Sequence, residues 1–256
     1  MADLRSMLEA GPCFGTFVKL PRPEVIDLLA RAGFDFVICD MEHAQIAEEE
    51  TRLVIRACAA NGLPCMVRLP DPAPGLVNRL LEAGAAGIQM PRLQNAAQTA
   101  RLRRMMRFPP GGTRSVGVAN ALAGYGSVPL ASYLALADAN ALVVGQFETV
   151  QIDDPCDPMM EGLDAAFIGP VDLAVDYGLS ADNAGVERHV QKVEAAAART
   201  GTVMGAFAGS PEAAQKYLRA GYRYLAVAGD ITFLASAANG CVSRLRDQEI
   251  SRPAGR

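Results

Sequence analysis

The chain has 256 residues, half of them apolar and only 20% charged, with 24 Lys and Arg against 28 Asp and Glu for a net charge of −4. At this size a folded chain buries about three quarters of the surface that it exposes when unfolded, so a large core is available without disulfide or structural metal, and linker-like or disordered architectures are excluded. The longest basic grouping is Arg101/Arg103/Arg104/Arg107, too little charge to predict a nucleic-acid partner.

From Met1 to Ser6 there is no charged-then-apolar leader, and no run approaches the roughly 18 uninterrupted apolar residues of a membrane span. The expectation is a cytoplasmic protein with no membrane partner. Strand-like apolar runs then alternate with amphipathic helical patterns, and no linker interrupts residues 1–256, which read as one domain. Cys13–Val18 reads as a strand, followed by a helix opening at Pro23 and closed by Gly33. Phe36-Val37-Ile38-Cys39-Asp40 is apolar on both faces, the mark of a parallel strand buried on both sides. It leads to a helix from about Glu48 to Ala60, with Gly62 as its stop. Cys65–Arg68, a helix ending at Gly84, Gly87–Met90 and a helix from Ala96 to Met106 complete the first four units.

The longest irregular stretch, Pro109 to Val128, reads as a lid or a subunit contact, because loops of that length inside compact domains are usually functional. Its Pro109-Pro110-Gly111-Gly112-Thr113-Arg114 lacks both the Lys-Ser/Thr of a phosphate loop and a strand leading into it. A helix over Leu130–Ala137 precedes strands at Leu142–Phe147, Ala165–Ile168, Val203–Ala206 and Tyr224–Val227. Eight parallel-type strands alternating with helices over this length predict an α/β fold, a single (β/α)8 TIM barrel. A doubly wound sheet would want a G-x-G-x-x-G turn after an early strand, and none is present.

In such a barrel the reacting groups gather where the strands end at their carboxyl termini. Asp40-Met41-Glu42-His43, Arg68, Gln146-Phe147-Glu148-Thr149 and Gly169-Pro170-Val171-Asp172-Leu173 all follow or end apolar strands. Glu148 and Asp172 sit on neighbouring strands, where two carboxylates would either share a hard divalent cation or cap helices and pair with arginines. His43, beside Glu42 and near Asp40, suits a general base oriented by a carboxylate, or a structural histidine bonded to a loop carbonyl. Arg68 closes an apolar strand, a costly place for a charge that does not find an anion, and suits a carboxylate or a developing enolate oxygen. The N–H groups of Val171 and Asp172 offer a cradle for a substrate carboxylate, which Pro170 cannot join. His189, within Val186-Glu187-Arg188-His189-Val190, reads as part of a solvated helix face. The six cysteines form no C-x-x-C pair and sit mostly in apolar runs, as reduced core cysteines do. Of the three lysines, only Lys19 falls at a strand end.

These motifs, in this order from about Gly15 to Leu245, resemble the HpcH/HpaI family of metal-dependent pyruvate aldolases, TIM barrels of the phosphoenolpyruvate/pyruvate group. The resemblance implies a class II aldolase, a carbon–carbon lyase that reversibly cleaves a 4-hydroxy-2-oxo acid into pyruvate and an aldehyde through a metal-stabilised pyruvate enolate. It makes Glu148 and Asp172 ligands of a divalent ion (Mg²⁺, Mn²⁺ or Co²⁺), Arg68 the partner of the ketone oxygen and His43 with Asp40 the base dyad. Gln146 becomes a polar neighbour of the metal, and Gly169, Val171 and Asp172 the turn that holds the pyruvate carboxylate. It further implies a homo-oligomer, commonly a hexamer that exchanges the last helix. One segment departs from the pattern: Val150–Met160, with two prolines and three acids, interrupts the helix expected after Glu148. Schiff-base chemistry at Lys19, a citrate-lyase or malyl-CoA type of CoA-ester lyase, and a metabolite-binding barrel without turnover are the alternatives.

Overall fold

The computed structural model describes residues 3–179 and 184–250. Eight parallel strands close into a barrel in sequence order: β1 (Cys13–Val18), β2 (Phe36–Asp40), β3 (Cys65–Arg68), β4 (Gly87–Met90), β5 (Leu142–Phe147), β6 (Ala165–Ile168), β7 (Val203–Ala208) and β8 (Tyr224–Gly229). The first six have the bounds expected from sequence. β7 and β8 run two residues further, and a register shift between β1 and β8 coincides with Ala228 at φ 52°, a bulge of the kind that re-aims a strand end.

The helices are α1 (Leu4–Ala10), α2 (Pro23–Ala32), α3 (Glu48–Ala60), α4 (Pro74–Ala83), α5 (Ala96–Met106), α6 (Leu130–Asn140), α7 (Asp157–Met160), α8 (Pro170–Asp176), α9 (Ala184–Thr200), α10 (Pro211–Arg219) and α11 (Asp230–Ile250). None is long and apolar enough to cross a membrane among the described residues. Two cores result. Phe36, Ile38, Met66, Val144, Phe167 and Tyr224 fill the barrel, with Leu4 and Leu8 of α1 packed against them; a larger apolar layer joins the outer strand faces to the helices. Five of the six free cysteines are buried and Cys241 is exposed, as expected of reduced core thiols.

The helix after β5 is cut to the single turn of α7, as the two prolines and three acids of that segment led us to expect. Each acid has a structural partner. Asp153 accepts from the Ala96 N–H at the start of α5 (3.1 Å), Asp154 pairs with Lys192 (3.2 Å), and Asp157 receives two guanidinium bonds from Arg199 (2.5 and 2.8 Å).

His189 departs from expectation. It is buried, because it shares one stripe of α9 with Val193, Ala196 and Ala197 and packs edge-on against Tyr177. Burial lowers its pKa from 6.5; the Lys192 charge adds to the effect and Asp176 opposes it. The unfolded chain therefore takes up this proton first, so the contribution of His189 to stability is complete above pH 6.5 and declines as the pH falls from there toward the folded value. Urea unfolding at pH 7.5 and 5.5 should show a smaller loss of stability on acidification for His189→Leu than for the wild type.

Candidate active site

The carboxyl ends of the strands open on a cavity of about 340 Å³. His43, Arg68, Gln146, Glu148, Gly169, Val171 and Asp172 all line it, whereas Asp40, fully buried, does not and reaches it through its bonds to Arg68. No residue of 109–128 lines the cavity. This loop packs instead on Phe108, where the Arg114 guanidinium lies 4.5 Å from the ring centre.

Asp40 and Arg68 are register partners at the ends of β2 and β3. Arg68 donates from Nε to Oδ1 (2.8 Å) and from Nη2 to Oδ2 (2.7 Å), while the backbone N–H groups of Glu42 and His43 donate to Oδ1 at 3.1 and 3.2 Å. The Lys19 ammonium stands 3.4 Å from Oδ2. Burial alone would raise the Asp40 pKa, but the bonds and charge of Arg68, joined by the loop N–H groups, bring it below the ordinary carboxylate value. The carboxylate is thus fully engaged, and its contact with His43 is to the backbone. The imidazole Nε2 lies instead 3.5 Å from Glu42 Oε2, which is also 3.2 Å from Arg68 Nη1. In this geometry His43 therefore bonds Asp40 through its backbone N–H, while its imidazole approaches Glu42 Oε2, an oxygen with no hydrogen-bond partner. Glu42 was legible only as a neighbour in sequence.

Glu148 is the contrasting case. It is only 2% exposed yet forms no ion pair among the described residues. Its oxygens accept from the Arg92 backbone N–H (2.9 Å) and from Gln146 Nε2 (2.6 Å). Burial pushes its pKa up to about 6 against those two bonds, with the charges of Asp172 and Glu42 adding to the rise. A Cβ at Gly169 would collide with Glu148 Oε2, so glycine there leaves room for the carboxylate. Asp172 lies in the first turn of α8 and is exposed to the cavity.

Among the described residues no group of three or more His, Cys, Asp or Glu side chains is assembled to hold a metal. Two carboxylates facing one cavity still fit a hard, oxygen-preferring divalent ion that keeps several waters and takes its remaining ligands from substrate.

Three further features were given no role by the sequence, although Phe207 and Asp230 stand at strand ends there. Phe17 and Phe207 form an apolar wall, their ring centres 5.9 Å apart, and the Phe17 ring lies 4.5 Å beneath the Arg68 guanidinium. Asp230 accepts from the N–H groups of Lys19 (2.9 Å) and Leu20 (2.8 Å), anchoring the loop after β1. Thr232 of α11 completes the rim. A period of two from Cys13 points Phe17 inward, so that position at least carried a signal.

Residues 13–237 match the family described as HpcH/HpaI aldolase/citrate lyase. A hydroxypyruvate/pyruvate aldolase of Paraburkholderia phytofirmans is 31% identical, over 95% of this chain and 97% of its own. A 4-hydroxy-2-oxo-heptane-1,7-dioate aldolase of Escherichia coli is 30% identical, over 96% and 95%. The crystal structure of an HpcH/HpaI aldolase/citrate lyase family protein from Burkholderia cenocepacia superposes with a TM-score of 0.87 at 32% identity, covering 96% of this chain and all of the other.

Removing the charge of Asp40 leaves Arg68 buried and without its main partner, a change that costs about 3 kcal/mol or more in buried ion pairs. Asp40→Asn should lower unfolding stability by that amount in urea titrations at pH 7, and the deficit should shrink in Asp40→Asn/Arg68→Met.

Proposed function

The chain belongs to the HpcH/HpaI aldolase/citrate lyase family and is a lyase, and we propose that it is a metal-dependent class II aldolase that reversibly cleaves a 4-hydroxy-2-oxo acid into pyruvate and an aldehyde. One observation carries this reading above the others. Glu148, a buried carboxylate with no cation of its own among the described residues, shares a cavity with Asp172 and Arg68.

Glu148 and Asp172 would hold Mg²⁺, Mn²⁺ or Co²⁺, which when bound supplies a Lewis acid for the carbonyl of the 2-oxo acid. The N–H groups of Val171 and Asp172, in the turn after Gly169, have no intrahelical acceptor and are offered to the substrate carboxylate. Arg68, held in plane by its two bonds to Asp40, presents its remaining N–H groups to the negative charge that develops on the ketone oxygen. His43, half exposed and backed by Glu42, takes the C4 hydroxyl proton as the C3–C4 bond breaks. The electron pair of that bond passes into the enolate of pyruvate, which is then protonated at C3, and the aldehyde leaves. Phe17 and Phe207 exclude water from one side of the reacting carbons.

Lys19 supports the metal reading over a Schiff base. Its ammonium is engaged with Asp40, and the two cavity carboxylates have no task in imine chemistry. Purified protein should release pyruvate from 4-hydroxy-2-oxo acids, lose this activity in EDTA and regain it with Mg²⁺, Mn²⁺ or Co²⁺. Glu148→Gln should lower kcat/KM at least a hundredfold, about 2.7 kcal/mol of transition-state stabilisation. Full activity after exhaustive chelation, or a borohydride-trapped pyruvate adduct at Lys19, would overturn the assignment. A panel of aldehydes offered with pyruvate identifies the second substrate.

The same reading includes a homo-oligomer that exchanges α11. Ile231, Leu234, Val242 and Leu245 are exposed along this helix, an apolar content that a second copy of the chain would cover. Sedimentation should give a multiple of the chain mass, hexameric by the family resemblance, and a strictly monomeric protein would remove this part of the proposal.

A further inference from the structure

A line of buried polar side chains crosses the barrel from β8 to the cavity. Tyr224 Oη donates to Gln89 Oε1 (2.9 Å), Gln89 Nε2 donates to Gln146 Oε1 (2.5 Å), and Gln146 Nε2 donates to Glu148 Oε2 (2.6 Å). Around it the barrel interior is apolar, with Phe36, Met66, Val144 and Phe167 among its members. We propose that Gln89 and Tyr224 are positioning residues for Glu148, acting through Gln146 to keep an N–H group, and not a carbonyl, turned toward the carboxylate.

The argument follows from donor and acceptor inventories. A carboxylate only accepts, whereas a glutamine amide offers an oxygen on one side and an NH₂ on the other, exchanged by a half-turn. Once Gln146 turns Nε2 to Glu148, its Oε1 faces β4 and needs a donor, which Gln89 supplies. Gln89 Oε1 then faces β8 and needs a donor in turn, and the Tyr224 hydroxyl is there. The phenol cannot swing away, because its ring is stacked on Phe36 (centres 4.6 Å apart, 18°) and meets Phe167 edge-on (5.8 Å, 77°). Without that hydroxyl, Gln89 Oε1 is buried without a donor, and the one orientation of the two amides in which every group is paired loses its anchor at β8; any turning of the amides from it takes the Gln146 N–H away from Glu148. A buried acceptor left without a donor is costly, and outer hydrogen bonds of this kind commonly tune metal-ligand carboxylates.

The inference rests on the metal reading of Glu148, so its test separates the two. Tyr224→Phe removes one oxygen from an otherwise unchanged ring. In calorimetry with Mn²⁺ it should bind about tenfold more weakly than the wild type, with kcat reduced. Gln89→Leu should do the same, and the double variant should be no weaker than Gln89→Leu alone, because both act along one chain of bonds. In the metal-free protein, the Gln146 side-chain ¹⁵N–¹H₂ signal, assigned by its loss in Gln146→Leu, should shift in Tyr224→Phe, although residue 224 does not bond Gln146. Wild-type Mn²⁺ affinity in Tyr224→Phe overturns the inference, whatever happens to Tm. If the wild type binds no Mn²⁺, or Glu148→Gln binds it equally well, the metal reading falls; the Gln146 signal then decides alone, and an unmoved signal overturns the relay.

Discussion

The mouth of this barrel is organised around a charge that has nowhere else to go. Asp40 ends a strand whose every residue is buried, and an isolated carboxylate there would cost far more than the fold can spare. Arg68, opposite it on β3, supplies two parallel bonds, and the loop N–H groups of Glu42 and His43 supply two more. Those four bonds decide the local geometry. They set the guanidinium plane, draw the loop after β2 over the carboxylate, and with Lys19 and its anchor Asp230 close the arc from β8 through β1 to β3. The only free work left to Arg68 is toward the cavity and toward Glu42.

On the far side of the cavity the logic is reversed. Glu148 is as buried as a core residue but meets N–H dipoles in place of a cation. Burial therefore wins and lifts its pKa, whereas at Asp40 the ion pair wins and lowers it. Two carboxylates in one mouth are thus prepared differently, one satisfied within the protein and one held in want of positive charge. Gly169 gives the second room to sit, and the amide line from Tyr224 sets which dipole it sees.

The strands were readable because a parallel strand buried on both faces is nearly continuous apolar sequence, and the polar residues that interrupt or follow such runs stand out. Asp40, Arg68, Glu148 and Asp172 were conspicuous for that reason. What stayed hidden depends on pairing between strands that sequence does not order. Gln89 and Tyr224 lie within apolar strands on opposite sides of the barrel, and nothing local shows that one donates to the other. Asp40 and Glu42 are both close enough to His43 in sequence to orient it, and nothing local shows that Arg68, 28 residues from Asp40, takes both oxygens of Asp40. His189 was misread although its partner Val193 lies one turn away, since a charged run around it masked the buried stripe of α9. α1 was missed because seven residues carry too little periodicity to register.

The segment 150–160, the clearest departure from the family pattern, bears on the site through its attachments. None of its residues lines the cavity, and its acids are spent on α5 and α9. Its first residue, Val150, donates its N–H to Asp176 Oδ2 at 2.6 Å. That bond joins the chain just past Glu148 to the last residue of α8, the helix whose first turn carries Asp172. The segments bearing the two cavity carboxylates are therefore tied to each other by a hydrogen bond outside the cavity as well as lining it together. The chain bends at Thr149 and Val150 on its way into that bond, so the loop that replaces a longer helix after β5 meets the end of α8 directly.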